Sequence, residues 1–171
     1  MKKICAVFCA VLSVLFLASA FAGEDNFVRW ERIVGVITAL NVDNPVGTIH
    51  SGTFPWTTRS GLARMDLTTG TVQWEVDGLV INGANFSGTP GPITAVRGTL
   101  VCNAGGNQTV FDTPAVGLNV HGDAQFAGHF DHAPGTCGNP IFLIRIAAPA
   151  GAAGRWIATG ASNSMLDENN F

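Results

Sequence analysis

The chain has 171 residues, 47% of them hydrophobic and 12% charged, with 9 Lys and Arg against 12 Asp and Glu. A dispersed, slightly negative charge without basic clusters excludes an electrostatic nucleic-acid binder, because neutralising phosphates takes grouped Lys and Arg. The chain opens on Met1-Lys2-Lys3, an apolar stretch over residues 4–18, and two small-x-small sites, Ala18-Ser19-Ala20 and Ala20-Phe21-Ala22. This order predicts a secretory signal peptide over residues 1–22, its apolar stretch too short to favour a membrane span. Cleavage after Ala22 takes 22 of the 171 residues and leaves 149. Both lysines go with it, so 7 Arg face 12 acidic residues and the formal charge becomes −5. Without lysine or tyrosine the exported chain has no Schiff-base or tyrosine acid/base chemistry. No cysteine stands directly after the cleavage region, so the expected product is periplasmic or secreted, and free of the membrane.

Cys5 and Cys9 fall inside the signal; Cys102 and Cys137 remain, 35 residues apart. In an oxidising compartment this pair is expected to form a disulfide, which the chain-entropy argument values at about 3 to 4 kcal/mol. Residues 24–29 read as a loose polar leader, and Ile33, Val34, Val36, Ile37 and Leu40 as the first strand. Residues 41–61 are rich in Asn, Pro, Gly, Ser and Thr, and read as a long loop with room for one short strand at 47–50. Ala63, Met65 and Leu67 then alternate with Arg64 and Asp66; after Thr68-Thr69-Gly70, Val72, Trp74 and Val76 alternate with Gln73, Glu75 and Asp77. A period of two on both sides of a glycine turn predicts a β-hairpin with one buried and one wet face.

A Gly- and Pro-rich loop over 82–92 leads to a strand over 93–103, which Ala104-Gly105-Gly106-Asn107 turns back into 109–113. Further strands are expected at 115–120, at 124–131, at 140–146 and at 155–159, followed by a polar tail over 162–171. No stretch outside the signal sustains a 3.6-residue apolar period. Eight or nine short strands punctuated by 21 Gly and 8 Pro predict a single all-β domain over residues 23–161. The fold class is an antiparallel β-sandwich, with a small β-barrel as the alternative.

His121, Asp123, His129, Asp131 and His132 form the densest cluster of potential chemistry. On a strand, His129 and Asp131 share a side, with His132 at its end. These three residues are the candidate metal ligands, for zinc or copper. The competing reading is the wet face of a half-buried strand. His50, Ser51 and Arg59 invite comparison with a hydrolytic site, but no Gly-x-Ser-x-Gly elbow exists and no nearby carboxylate is placed by the sequence to orient the histidine. Asp66, Glu75 and Asp77 read as the solvated face of the hairpin, partly neutralised by Arg64. No catalytic set is assembled. Trp74 and Trp156 are expected in the core, whereas Phe54 and Trp56, in a Pro-containing loop, are candidate ligand contacts. Asn85-Phe86-Ser87 and Asn107-Gln108-Thr109 fit the glycosylation acceptor pattern, which normally carries no meaning in a bacterial exporter of the kind Met-Lys-Lys suggests; in a eukaryotic source both loops would be candidates.

The run Ser60-Gly61-Leu62-Ala63-Arg64-Met65-Asp66-Leu67, with Gly70, Val72 to Val76 and Gly78-Leu79, resembles the middle of a CHRD-type module over about 20 residues. The stretch 80–92 departs from that pattern by lacking its His-x-His segment. Arg97-Gly98-Thr99-Leu100-Val101-Cys102 and the later segments 122–126, 142–145 and 154–157 are similar to small exported bacterial all-β proteins of unassigned function. These resemblances imply export and an all-β fold, and no catalytic residue. Together the readings favour a secreted, non-enzymatic β-sandwich that serves as a binding or structural module for a protein, peptide or glycan, with no cofactor. The alternative is a metal-binding protein, or a metal-dependent hydrolase or oxidase, built on His129, Asp131 and His132.

Overall fold

The computed structural model describes residues 26–83 and 85–163. The expected signal peptide, and the tail from residue 164 onward, lie outside the described residues. Eleven strands follow in order: β1 (Phe27–Gly35), β2 (Trp56–Thr57), β3 (Ser60–Asp66), β4 (Thr71–Asp77), β5 (Val80–Ile81), β6 (Ala95–Cys102), β7 (Thr109–Asp112), β8 (Val116–Gly117), β9 (Ala124–His129), β10 (Ile141–Ala148) and β11 (Trp156–Asn163). The only regular helical turn among the described residues is a 3-10 turn over Ala150–Ala152.

Nine strands make one antiparallel sheet in the order β7-β6-β10-β11-β1-β3-β4-β9, with β8 added beside β6; β2 and β5 form a separate pair. The sheet is curled rather than flat. Phe111 of β7 meets Phe130, just past β9, with ring centroids 6.2 Å apart, and meets the His132 ring at 5.0 Å. The two ends of the sheet thus touch through side chains, with no ladder joining β7 to β9 among the described residues. Two halves of one sheet face each other across a shared core, a sandwich-like all-β fold.

Alternation explains which side chains fill that core. Val72, Trp74 and Val76 of β4 are buried, as are Ala63 and Met65 of β3 opposite them. Trp74 stacks on Phe126 of neighbouring β9 and reaches Phe142 of β10, both at 6.4 Å between centroids. It also lies against Gly98 of β6, where an added Cβ would stand 2.3 Å from the indole Nε1. Since β4 and β6 are far apart in the ladder, this contact exists only because the sheet folds over. Trp74 Nε1 is a buried donor with no acceptor among the described residues.

The Cys102–Cys137 disulfide is formed, with Cα atoms 5.1 Å apart. It ties the end of β6 to the segment that crosses from β9 to β10, beside the hydrogen bond from Asn103 N to Gly138 O. The hairpin expected over 62–81 is present as β3 and β4.

Four expectations are corrected. β1 starts at Phe27, within the stretch read as a loose leader, because Val28 and Trp30 are buried while Phe27, Arg29 and Glu31 are the outward alternates. It ends at Gly35, where any side chain would collide with the Trp56 carbonyl, so Ile37 and Leu40 lie exposed in the following loop. At the other end β11 runs through Asn163, which pairs with Trp30, so the first two residues of the expected tail belong to the sheet. Finally, Arg64 bonds Gln73 across the hairpin, not a carboxylate.

Candidate functional site

The loop over residues 41–55 is ordered by turn chemistry. Val46-Gly47-Thr48-Ile49 reverses the chain, with Val46 and Ile49 exchanging both backbone hydrogen bonds and Gly47 in the left-handed region. Thr48 is then pinned to Gln108, which accepts from Thr48 N at 2.9 Å and donates to its Oγ1 at 3.1 Å. Beyond the turn, residues 50–52 run parallel to the start of β11. Trp156 N donates to His50 O at 3.0 Å, and Gly52 N to Trp156 O at 2.7 Å. Trp156 Nε1 in turn donates to Asn44 O at 2.9 Å. This clamp fixes His50 and Ser51 beside Arg155.

The reversal also brings Asp43 to His50. Asp43 Oδ2 lies 2.5 Å from His50 Nδ1, and Asp43 Oδ1 accepts from Ser51 N at 3.0 Å. These two hydrogen bonds, with the His50 bond the larger, hold the Asp43 carboxyl below the usual carboxylate range. A carboxylate therefore does orient the histidine, contrary to the expectation from sequence. The set is still not a nucleophilic triad. Ser51 is fully buried, and its hydroxyl donates to Gly52 O at 3.1 Å and accepts from Asn44 N at 2.9 Å. Its bond to the dyad is a longer contact with the same carboxylate, 3.4 Å, rather than with the imidazole. Arg59 is elsewhere, paired with Asp123 at 3.5 Å.

Three recesses converge on Arg155. One of about 250 Å³ is bordered by Asp43, His50 and Thr53. A wider one of about 630 Å³ carries Thr48, His50, Val110, Arg145 and Arg155 on its walls, with no carboxylate among its lining residues. The third, of about 330 Å³, is mainly apolar and is formed by Phe54, Trp56, Ile81, Pro92, Ile93 and Ile146. The 3-10 turn after β10 separates the second and third; its small residues, with Gly154 beyond them, keep both open.

Arg145 is held from behind. Its NH1 donates to both oxygens of Asp112, at 3.0 and 3.3 Å, and its Nε to Gly154 O at 2.9 Å. Asp112 also accepts from Thr99 Oγ1 at 2.6 Å and lies 3.5 Å from Arg97, so one carboxylate serves two guanidinium groups. Arg155 NH1 donates to Ser51 O at 2.8 Å, and Arg155 has no ion-pair partner among the described residues. The result is a preorganised, positively charged wall on a chain of net negative charge.

Of the residues singled out from sequence, Phe54 is half-buried and faces the apolar recess; Trp56 is only 3% exposed and forms its floor. His129, Asp131 and His132 are all exposed, and Phe130 between them points into the core. Among the described residues no group of three or more His, Cys, Asp and Glu is arranged to hold a metal ion. Asp43, Arg145 and Arg155 were not apparent as site residues. The tight turn at 46–49, between Asp43 and His50 seven positions later, is the signal that brings the first of them in. Comparison with known protein families, with characterised proteins and with solved structures gave no match.

Proposed function

We propose that the chain is exported and works as a non-enzymatic β module that binds an anionic ligand in the groove around Arg155. The observation that carries the reading is the convergence of three recesses on Arg155, which has no carboxylate partner among the described residues, with Arg145 and His50 beside it in the widest. A half-buried arginine on the widest recess, whose lining has no carboxylate, favours an anion, since its charge-assisted hydrogen bonds are the stronger for being partly desolvated. The Ser51 hydroxyl is buried and turned to backbone partners, so it does not serve the Asp43–His50 pair as a nucleophile, and the groove is read as a binding site. Export is supported by the signal-like first 22 residues and is compatible with the disulfide.

The test is thermal unfolding of the oxidised protein at constant ionic strength with acetate, phosphate, neutral sugars and divalent metals. A saturable rise in melting temperature with an anion, absent in Arg155→Gln, is expected from mass action. A rise only with sugars or metals, or none with any anion, overturns the reading. For export, the mass of the mature protein should correspond to cleavage after Ala22; an intact first residue would refute it.

A further inference from the structure

We infer that the ligand of the Arg155 groove is a small amphipathic carboxylic acid, one carboxylate carried on a single aromatic or branched apolar group. This inference rests on the anion-binding reading above and narrows it. Arg155 is common to the positively charged recess and to the apolar one, so a ligand whose anionic head meets the guanidinium has its next few atoms directed across the 3-10 turn towards Phe54 and Ile93. The apolar recess holds about 330 Å³, at the small end of ligand pockets, which accommodates one ring or branched chain and not a longer body. Its floor is Trp56, itself in the core, so the cavity is shaped by packed side chains and is preformed.

The head-group site favours one carboxylate over a multiply charged phosphate. Arg145 has already committed its NH1 to Asp112 and its Nε to Gly154 O, which leaves Arg155 as the guanidinium of this recess without an anionic partner among the described residues. His50, hydrogen-bonded through Nδ1 to Asp43, lines the same recess. A planar carboxylate can be held by a guanidinium through two parallel hydrogen bonds. The apolar group then supplies the affinity that a single half-buried ion pair lacks, through removal of its surface from water.

Isothermal titration with N-acetyl-L-phenylalanine, its amide, acetate and phosphate tests this directly. The free acid is expected to bind at least about tenfold more tightly than either the amide or acetate, since each lacks one half of the recognition. Arg155→Gln should abolish the preference for acid over amide. Phe54→Ala, which leaves the clamp around Ser51 intact, should bring the acid down to the affinity of acetate. Equal binding of acetate, phosphate and N-acetyl-phenylalanine, still dependent on Arg155, overturns this inference while leaving the anion site standing. No binding of any anion removes both. A tetrapeptide, Ala-Ala-Ala-Phe, that binds more than tenfold tighter than N-acetyl-phenylalanine would also overturn it, reassigning the groove to a peptide C-terminus.

Discussion

Gly98 and Trp74 provide the sharpest test of the curled sheet. Gly98 sits on the inward side of β6, and a Cβ there would approach Trp74 Nε1 to 2.3 Å, Cδ1 to 2.7 Å and Phe142 Cε2 to 3.0 Å. The indole cannot swing aside freely, because Phe126 and Phe142 pack against it. Gly98→Ala is thus an overpacking change, expected to cost about 1 to 3 kcal/mol. Trp74→Phe removes the crowded pyrrole edge. It loses packed volume, but it also removes a buried N–H without an acceptor, itself a penalty of about 1 to 3 kcal/mol, so its net cost should be small. In the double variant the added methyl occupies the space the pyrrole vacates. Urea unfolding of the oxidised wild type, both singles and the double should give a favourable coupling of about 1 kcal/mol or more, against the ~0.5 kcal/mol within which distant sites add. Additive effects would mean that β4 does not lie over β6, and the curled arrangement would be refuted.

The disulfide closes a 35-residue loop across the meeting ends of the sheet. Reducing it, or replacing both cysteines with alanine, should cost about 4 kcal/mol and lower the melting temperature by roughly 10 °C in calorimetry; an unchanged melting temperature would contradict its role as a clasp. Three carboxyls are held below their ordinary range: Asp43 chiefly by His50, Asp66 chiefly by the Thr69 hydroxyl, and Asp123 chiefly by Gly78 N. A folded-state value below the unfolded one means that each contributes stability above about pH 4, lost as the pH falls towards the depressed value. Melting temperature should therefore fall on acidification through that window, less steeply in Asp66→Asn and Asp123→Asn. Acid limbs identical to the wild type would show that these bonds do not persist in solution.

The elements legible from sequence were those whose alternation is local. Val72, Trp74 and Val76 against Gln73, Glu75 and Asp77 determine β4 and its inward face without reference to the rest of the chain. The Cys102–Cys137 pair followed from counting. β1 was harder, because Arg29 and Glu31 beside Val28 and Trp30 look like a polar leader until the partner strands on both sides are known. The curl was not legible at all, since it depends on contacts such as Trp74 with Gly98 that no local pattern encodes. For the same reason the Arg155 groove was only partly visible. Phe54 and Trp56 stood out as aromatics in a loop, whereas Arg155 acquires its position from a parallel clamp between residues 50–52 and β11, more than 100 residues away in sequence.

The claim that matters most is where the ligand sits, and a crystal grown with 4-iodophenylacetate locates it in one measurement. The iodine should give an anomalous peak in the recess beside Phe54 and Ile93, above the Trp56 ring, with the carboxylate against Arg155. Iodine found only at other surface positions, or no site at saturating concentration, would contradict the account.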